Sequence, residues 1–463
     1  MIKVFSQYTP RHLLLLVLSE NLLILLSIWA VAAFRTGDFH LSMLALPAVF
    51  GKVLAMTLIC QLCLHFSDLY DLSSAASGQV IFLRLLQALG LACLLLAALY
   101  FLLPHMRFGS GLAEMAVLTI IFVVLLWRVA LEWAQRAWGE GERILLVGAG
   151  PGTQELIRQV QNRPDLRLRL IGLVAEDGMV GGAMGSLPCL GELGELRQIV
   201  AEHRPHRVVV GLAERRRRMP VKELLAVRSL GVPVEETSSL YEKVAGRLPV
   251  ENLRPSELIF SDGFRKSWAL RFYKRAFGFG AAVLGLLLAS PLIALVVVAI
   301  KLESRGPILY RQERVGLNGR VFQVLKFRSM RADAEAMSGP VWARERDPRV
   351  TRVGRVIRAL RLDELPQLWN VLRGEMTFVG PRPERPVFVA ELSNEIPYYD
   401  LRHSVRPGIT GWAQVSYRYG SSREDAKTKL EFDLFYIKNL SITMDLFIMF
   451  QTVKIIILGR GAR

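Results

Sequence analysis

Four apolar runs fill the first third of the chain: Leu13 to Phe34, Leu41 to Leu64, Leu85 to Leu103 and Ala113 to Leu131. A helix needs about 20 apolar residues to cross a bilayer, so each run predicts a membrane-spanning helix. The first run is too long for a signal-peptide core and lacks a small-residue cleavage site, so it is expected to stay on the protein. Lys3 and Arg11 precede it, Arg84 separates runs two and three, and Arg136 and Arg143 follow run four. With an even number of crossings, these flanks put both ends in the cytoplasm, although Arg35 and Arg107 fall on the other side. Glu20 and Lys52 lie inside runs one and two; an interhelical ion pair accounts for them better than a proton or substrate path. Cys60 and Cys63 read as small apolar residues within a span.

From Arg143 the pattern changes to short β-rich runs alternating with helical ones. Ile144–Val147 reads as a buried strand, and further strands are expected at Leu170 to Val174, Arg207 to Val210 and Val232 to Glu235. This alternation predicts a doubly wound, Rossmann-like parallel sheet. Gly148-Ala-Gly150-Pro-Gly152 resembles a dinucleotide-binding turn, but Thr153 holds the third glycine position. Glu176 and Asp177 follow the second strand at more than the usual spacing to a ribose-binding acid. A degenerate scaffold therefore competes with nucleotide binding here. The Arg215 to Arg218 run reads as a solvated loop.

A fifth apolar run, Phe277 to Ile300, is long enough to cross, but its flanks oppose crossing. Arg265, Lys266, Arg271, Lys274 and Arg275 precede it, and Lys301, Arg305, Arg311 and Arg314 follow. Positive flanks at both ends hold both on the cytoplasmic face. Ser290-Pro291 sits at the centre, where proline removes a backbone donor and favours a break. The expectation is a re-entrant helix over 272–301 that enters one leaflet and returns. Leu446 to Leu458, which carries Gln451 and Lys454, suits a helix lying in the interface. Three domains follow: a four-span domain over 1–138, the Rossmann-like domain over 139–250, and an α-rich cytoplasmic-face domain over 251–463.

Composition sharpens this division. The 463 residues are 52% hydrophobic and only 21% charged, with mean hydropathy +0.32, which excludes a disordered chain and an ordinary soluble globule. Four cysteines exclude a disulfide framework. The net charge of +17 would suit a nucleic-acid binder. From Glu251 onward, however, the chain holds 34 Lys+Arg against 21 Asp+Glu, so the excess sits where anionic lipid and phosphate are expected. Nucleic acid is not needed to explain it.

The candidate chemistry lies in that last domain. Arg361-Leu-Asp363-Glu364-Leu-Pro366 sets two carboxylates side by side at a helix start, where capping alone would explain them. Their surroundings add more. Arg352, Arg355, Arg358 and Arg361 recur every third residue, and Gly380-Pro-Arg382-Pro383 makes a stiff turn presenting a guanidinium. Upstream lie Arg314-Val-Gly316-Leu-Asn-Gly319 and Lys326-Phe-Arg328-Ser-Met330. Paired acids among phosphate-binding cations suit Mg²⁺-assisted phosphoryl transfer.

Ser290-Pro291, Arg311 to Gly319, Lys326 to Met330, Leu362 to Gln367, Val379 to Pro383 and Arg406 to Trp412 stand in the order of the bacterial sugar transferase domain. The chain thus resembles the large monotopic phosphoglycosyl transferases (polyprenyl-phosphate hexose-1-phosphate transferases). Leu258 to Phe264 is similar to the linker of their exopolysaccharide-associated branch. The resemblance implies that Asp363 attacks the β-phosphorus of a UDP-sugar and releases UMP. Glu364 would then assist polyprenyl phosphate in taking the sugar-phosphate from the aspartate. It further implies Mg²⁺ held partly by Asp363, phosphate ligands at Arg382 and Arg358, and a membrane-mouth basic pair, Lys274 and Arg275, near Ser290 and Pro291; Lys326, Arg328 and Arg314, basic positions of the kind that approach phosphates, are expected to join those ligands. The implied location is the bacterial inner membrane, with inner-membrane lipid around the spans; a homodimer is compatible with it. A membrane nucleotide-sugar dehydratase is the first rival, but no tyrosine here has lysine four residues on. A non-catalytic scaffold of polysaccharide export is the second, and the intact Asp363, Glu364 and Arg382 argue against it.

Overall fold

The computed structural model describes residues 2–4, 7–9, 11–36, 47–70, 78–106, 112–137, 141–176, 187–212, 219–253, 255–264, 267–331, 348–417, 420 and 422–458. The start of the second apolar run, Arg107, Asp177, the Arg215–Arg218 run and the Arg265-Lys266 flank lie outside these residues. The chain divides into two compact units, Met1–Ile2 with Thr9–Glu235, and Lys3–Tyr8 with Glu236–Arg463.

In the first unit the apolar runs form helices α1 (Arg11–Thr36), α2 (Pro47–Phe66), α3 (Gly78–Leu102) and α4 (Leu112–Ala137). Helix α1 packs chiefly on α4, and α2 on α3. Ile24, Ile28, Met56, Cys60, Cys63, Leu89 and Ile120 are among the residues that fill the core between them. Among the described residues, α1 and α3 are long and apolar enough to cross a membrane; the apolar parts of α2 and α4, Phe50–Phe66 and Met115–Leu131, are shorter. Glu20 is buried, and the ion pair expected of it forms with Arg128 of α4 at 2.7 Å rather than with Lys52. Arg128 lies within α4, 108 residues from Glu20, a juxtaposition that run-by-run reading does not show.

Strands β1 (Glu142–Val147), β2 (Leu168–Ala175), β3 (Cys189–Glu192), β4 (Arg207–Val210) and β5 (Val234–Glu236) form one sheet in the order β3-β2-β1-β4-β5. The β1–β2, β1–β4 and β2–β3 pairings are parallel, as the strand–helix alternation predicts. Strand β1 is buried along Leu145–Val147 because both faces are covered. Thr153, in the helix Pro151–Gln161, is buried and donates to Gly148 O at 3.2 Å and to Gly211 O at 3.3 Å. Gly150 N also donates to Gly211 O at 2.8 Å, and Pro151 has no N–H. The turn thus directs donors at Gly148 O within it and at Gly211 O just after β4.

The second unit contains a 36-residue helix, α5 (Trp268–Glu303). The sequence predicts a break at Ser290-Pro291; helical structure instead continues through Pro291. Ser290 Oγ bonds to Leu287 O at 2.8 Å, and a missing N–H need not end a helix whose neighbours remain bonded. Then come an antiparallel hairpin, β6 (Leu309–Val315) and β7 (Val321–Phe327), helix α6 (Arg352–Ala359) and helix α7 (Gln367–Arg373). Short strands β8 (Thr377–Val379) and β9 (Gly408–Thr410) pair in parallel, and helices α8 (Arg423–Lys438) and α9 (Ile442–Ile457) close the unit. Residues 236–250 pack here as well: Leu248 and Val250 join a core with Leu430, Leu434 and Phe435, and Trp412 Nε1 donates to Gly246 O at 2.8 Å.

Both ends of α5 are fastened to this one unit. Near its start, Arg275 donates to Val371 O and Leu372 O at 2.6 and 2.7 Å. At its end, the Glu303 carboxylate accepts from Arg352 N and Val353 N at the start of α6, where a helix N-terminus favours negative charge. Ala282 and Leu286 pack with Leu368 and Val371; Val296 and Ile300 pack with Phe327 and Ile357. Only 11% of the helix's most apolar stretch is buried within the protein.

Candidate functional site

The two acids sit where helix α6 ends. Arg361 takes the left-handed conformation (φ 58°, ψ 17°), uncommon for a residue with a side chain, and turns the chain into the short 3₁₀ helix Leu362–Glu364. Pro366 then caps α7, as the sequence predicts for a proline at a helix start. The α7 side of the site is set by Asn370, which is fully buried. Its Oδ1 accepts from Leu325 N at 3.0 Å and its Nδ2 donates to Gln323 O at 2.7 Å. That clamp fixes β7, and so places Lys326 opposite the acids.

Glu364 Oε1 accepts from Arg382 Nη2 at 2.9 Å and from Lys326 Nζ at 3.4 Å. Burial works against its charge, but Arg382 and Lys326 outweigh it and hold the carboxyl well below the usual range. Asp363 behaves oppositely. Burial and the neighbouring Glu364 charge push it up, while Lys326, Arg358 and Arg382 only partly offset them. Burial likewise lowers Lys326, against the pull of Glu364. Among the described residues, no hydrogen bond reaches the Asp363 carboxylate.

The predicted site residues therefore separate. Asp363, Glu364, Lys326, Arg358 and Arg382 come together. Arg314 borders them from outside: Nη1 donates to Pro383 O at 2.9 Å and to Glu384 at 3.2 Å, bracing the Arg382 turn. Arg328 is elsewhere, buried against the end of α5, with bonds to Ser304 O and Arg305 O at 2.8 and 3.0 Å. Lys274 is also engaged within the protein, 2.7 Å from Asp445 and 3.0 Å from Val379 O, and Arg275 caps the end of α7. Ser290 and Pro291 lie far along α5, away from the acids in sequence and without a bond to them.

Sequence reasoning missed a second layer. Arg402 Nη2 donates to Arg382 O at 2.9 Å and to Asp433 Oδ2 at 2.9 Å, with both side chains buried. Arg402 Nη1 also bonds Tyr399 Oη. This chain holds the backbone of the residue whose guanidinium holds Glu364. The signal in the sequence, an arginine and an aspartate 31 residues apart, is invisible without the fold.

Among the described residues, no three His, Cys, Asp or Glu side chains gather as a metal cage. Mg²⁺ does not need one, since it keeps waters and binds through one or two carboxylates plus substrate phosphates. Asp363, with no hydrogen bond among the described residues, fits that role.

Long apolar helices, and two adjacent acids set among Lys326, Arg358 and Arg382, suit a membrane-associated phosphoryl-transfer class. Comparison with known proteins makes it specific. A family profile for the bacterial sugar transferase matches residues 269–459, and one for a CoA-binding domain matches 65–232. The undecaprenyl-phosphate glucose phosphotransferase of Komagataeibacter xylinus is 34% identical over 396 residues, 78% of this chain and 72% of its own length. The UDP-glucose:undecaprenyl-phosphate glucose-1-phosphate transferase of Escherichia coli K12 is 33% identical, over 70% of each chain. The UDP-N-acetylgalactosamine-undecaprenyl-phosphate N-acetylgalactosaminephosphotransferase of Aeromonas hydrophila is 45% identical over 232 residues, 50% of this chain and 54% of its own length. The chain belongs to the bacterial sugar transferase family and, within it, to the large phosphoglycosyl transferases.

Proposed function

We propose that the protein transfers a sugar-1-phosphate from a UDP-sugar to polyprenyl phosphate, the step that starts a polysaccharide repeat unit. The observation carrying this is the contrast within the acid pair: Glu364 is held by two cations, while buried Asp363 accepts no hydrogen bond among the described residues. An Asp363 oxygen attacks the β-phosphorus of the donor. The new aspartyl–phosphorus bond forms as the bridging P–O bond breaks, and UMP leaves with the bridging oxygen. An oxygen of the polyprenyl phosphate then attacks the same phosphorus and displaces the aspartate, giving polyprenyl-diphosphate-sugar.

Arg382, Lys326 and Arg358 face the charge that develops on the transferred phosphoryl group. Glu364 Oε1 accepts from both Arg382 and Lys326, and a phosphate monoester largely ionised at pH 7 needs little help to attack. Glu364 therefore serves mainly to aim Arg382 and Lys326. Bound Mg²⁺, held by Asp363, would offset the negative charge of the diphosphate.

Helix α5 bends at Ser290-Pro291 and so enters the membrane and returns: both its ends are fastened to one unit while its middle exposes leucines. A water-soluble donor and a bilayer-confined acceptor then meet at one site, and four N-terminal crossings would hold the chain in the inner membrane. Purified protein supplied with a panel of UDP-sugars, Mg²⁺ and polyprenyl phosphate should release UMP with one preferred sugar. No release with any of them would refute the reading. A cysteine placed beside Lys301 should resist an impermeant thiol reagent applied outside the cell, and strong labelling would restore a fifth crossing.

A further inference from the structure

Lys274 and Arg275, the basic pair expected to meet lipid phosphate, are both occupied by the protein itself. Two other arginines at the mouth of α5 are not. Arg271 is exposed and lies one turn before Arg275, on the same face of the helix. Arg406 is half-buried. Neither side chain makes a hydrogen bond or ion pair with another described residue.

Backbone contacts hold Arg406 at this mouth. Its carbonyl oxygen lies so close to Gly380 that a Cβ there would sit 2.4 Å away, and Pro407 O accepts from Thr377 N at 2.8 Å. Lys274 Nζ meets Val379 O, one residue before Gly380. The start of α5 and Arg406 thus converge on one end of β8, and Gly380 leads directly into Pro381 and Arg382. Burial, and then the charges of Arg275 and Arg271, push Arg406 below its usual range. A half-buried cation facing two others is an unfavourable arrangement that an anion relieves.

The surroundings say where that anion resides. Trp268 and Phe272 stack at 5.4 Å beside the arginines and are 72% and 60% exposed at the start of an apolar helix. Aromatic side chains in that position sit at headgroup level. An anion that suits both features is a phosphate carried by a membrane lipid.

We propose that Arg406 and Arg271, backed by Arg275, form a phosphate-headgroup site at the membrane surface, and that it receives the phosphate of the polyprenyl acceptor before that phosphate attacks. The site rests on the transferase reading above. Its test uses the full chain in vesicles, with Arg406→Gln and Arg271→Gln separately and combined. The double variant should raise KM for polyprenyl phosphate at least about tenfold, with KM for the UDP-sugar little changed, and Arg406→Lys should recover most of the loss because an ammonium also binds phosphate. Its unfolding temperature should be unchanged, since neither side chain has a partner to lose; a matching fall would overturn the site as a merely structural feature. Flotation on phosphatidylglycerol against phosphatidylcholine vesicles separates the lipid sources. Lost phosphatidylglycerol binding with unaltered acceptor KM would overturn the acceptor assignment in favour of bulk anionic lipid, and no change in either would overturn the site. UMP release by the unmodified protein from donor alone, measured at stoichiometric enzyme, reads the first half-reaction. Its absence there would sink the transferase reading instead.

Discussion

Two glutamates, one in each compact unit, are both held by cations: Glu20 is buried, Glu364 half-buried, and they differ in what stands beside them. Glu20 of α1 is closed on every side: Oε1 accepts from Arg128 Nε at 2.7 Å, and Oε2 accepts from Arg128 Nη2 at 3.1 Å and from Tyr70 Oη. Arg128 Nη1 reaches on to Leu69 O at 2.9 Å. Glu364 is similarly closed by Arg382 and Lys326. Its neighbour Asp363, though buried, accepts no hydrogen bond among the described residues. Burial and ion pairing are therefore common to both places; an open carboxylate beside several cations belongs to one. A fully satisfied buried charge pair serves structure, whereas an unsatisfied acid in such a setting is a candidate reagent.

The change that tests this contrast most strongly is Asp363→Asn. It should lower sugar-phosphate transfer by about 10⁴-fold or more, the scale seen when a nucleophile is removed. Single-turnover UMP release measures it, with the unfolding temperature as control. Near-normal release would remove the covalent mechanism and with it the reason for distinguishing Asp363 from Glu20. Arg382→Ala should cost less, about 10²–10³ in kcat, as for loss of one donor to a developing charge. It should also free Glu364 to titrate closer to an ordinary carboxyl, since Arg382 is the chief charge holding it down.

How far each layer could be read from sequence follows from how local its causes are. The apolar runs, the strand–helix alternation and the acid pair beside Pro366 are encoded within a few residues, and the structure contains helices, a parallel sheet and a 3₁₀ turn at those places. Arg328 shows the limit. Its spacing from Lys326 suggests a second phosphate ligand, yet its guanidinium closes the end of α5 through carbonyls 23 and 24 residues away. Asn370 and the Arg402–Asp433 pair also act across long separations, so no local pattern marks them. Lys274 reads as a free cation at a membrane mouth until Asp445, on the last helix, is seen beside it.

The Arg402–Asp433 pair offers a smaller, pH-dependent test of the same contrast. Burial raises Asp433 to about 6, against the pull of Arg402; Glu384 adds to the rise and Lys429 opposes it. Above that value the carboxylate is ionised and holds Arg402 on Arg382 O; below it the grip weakens. Activity should rise several-fold through pH 6, and Asp433→Asn should flatten that limb while leaving the activity at pH 8 within a few-fold. Stability should move the other way. The folded pKa lies above the unfolded value of about 3.9, so the folded protein holds the proton longer, and the stability from this group is lost as pH rises between about 4 and 6. Paired pH profiles of kcat/KM and of unfolding temperature, in wild type and variant, check both signs.

The least effect on turnover is expected at Glu20. Glu20→Gln leaves Arg128 buried without its counter-charge, a loss of about 3–5 kcal/mol when one partner of such a pair is removed. The unfolding temperature should fall, while kcat for the fraction that remains folded should match wild type. Glu20→Gln combined with Arg128→Gln should recover much of that stability, because neither charge is then stranded; the double-variant cycle isolates the pair itself. A large drop in kcat at unchanged stability would instead make Glu20 part of a substrate path. It would show that a fully satisfied charge pair can be functional, and open valence at Asp363 would lose its value as the discriminating mark.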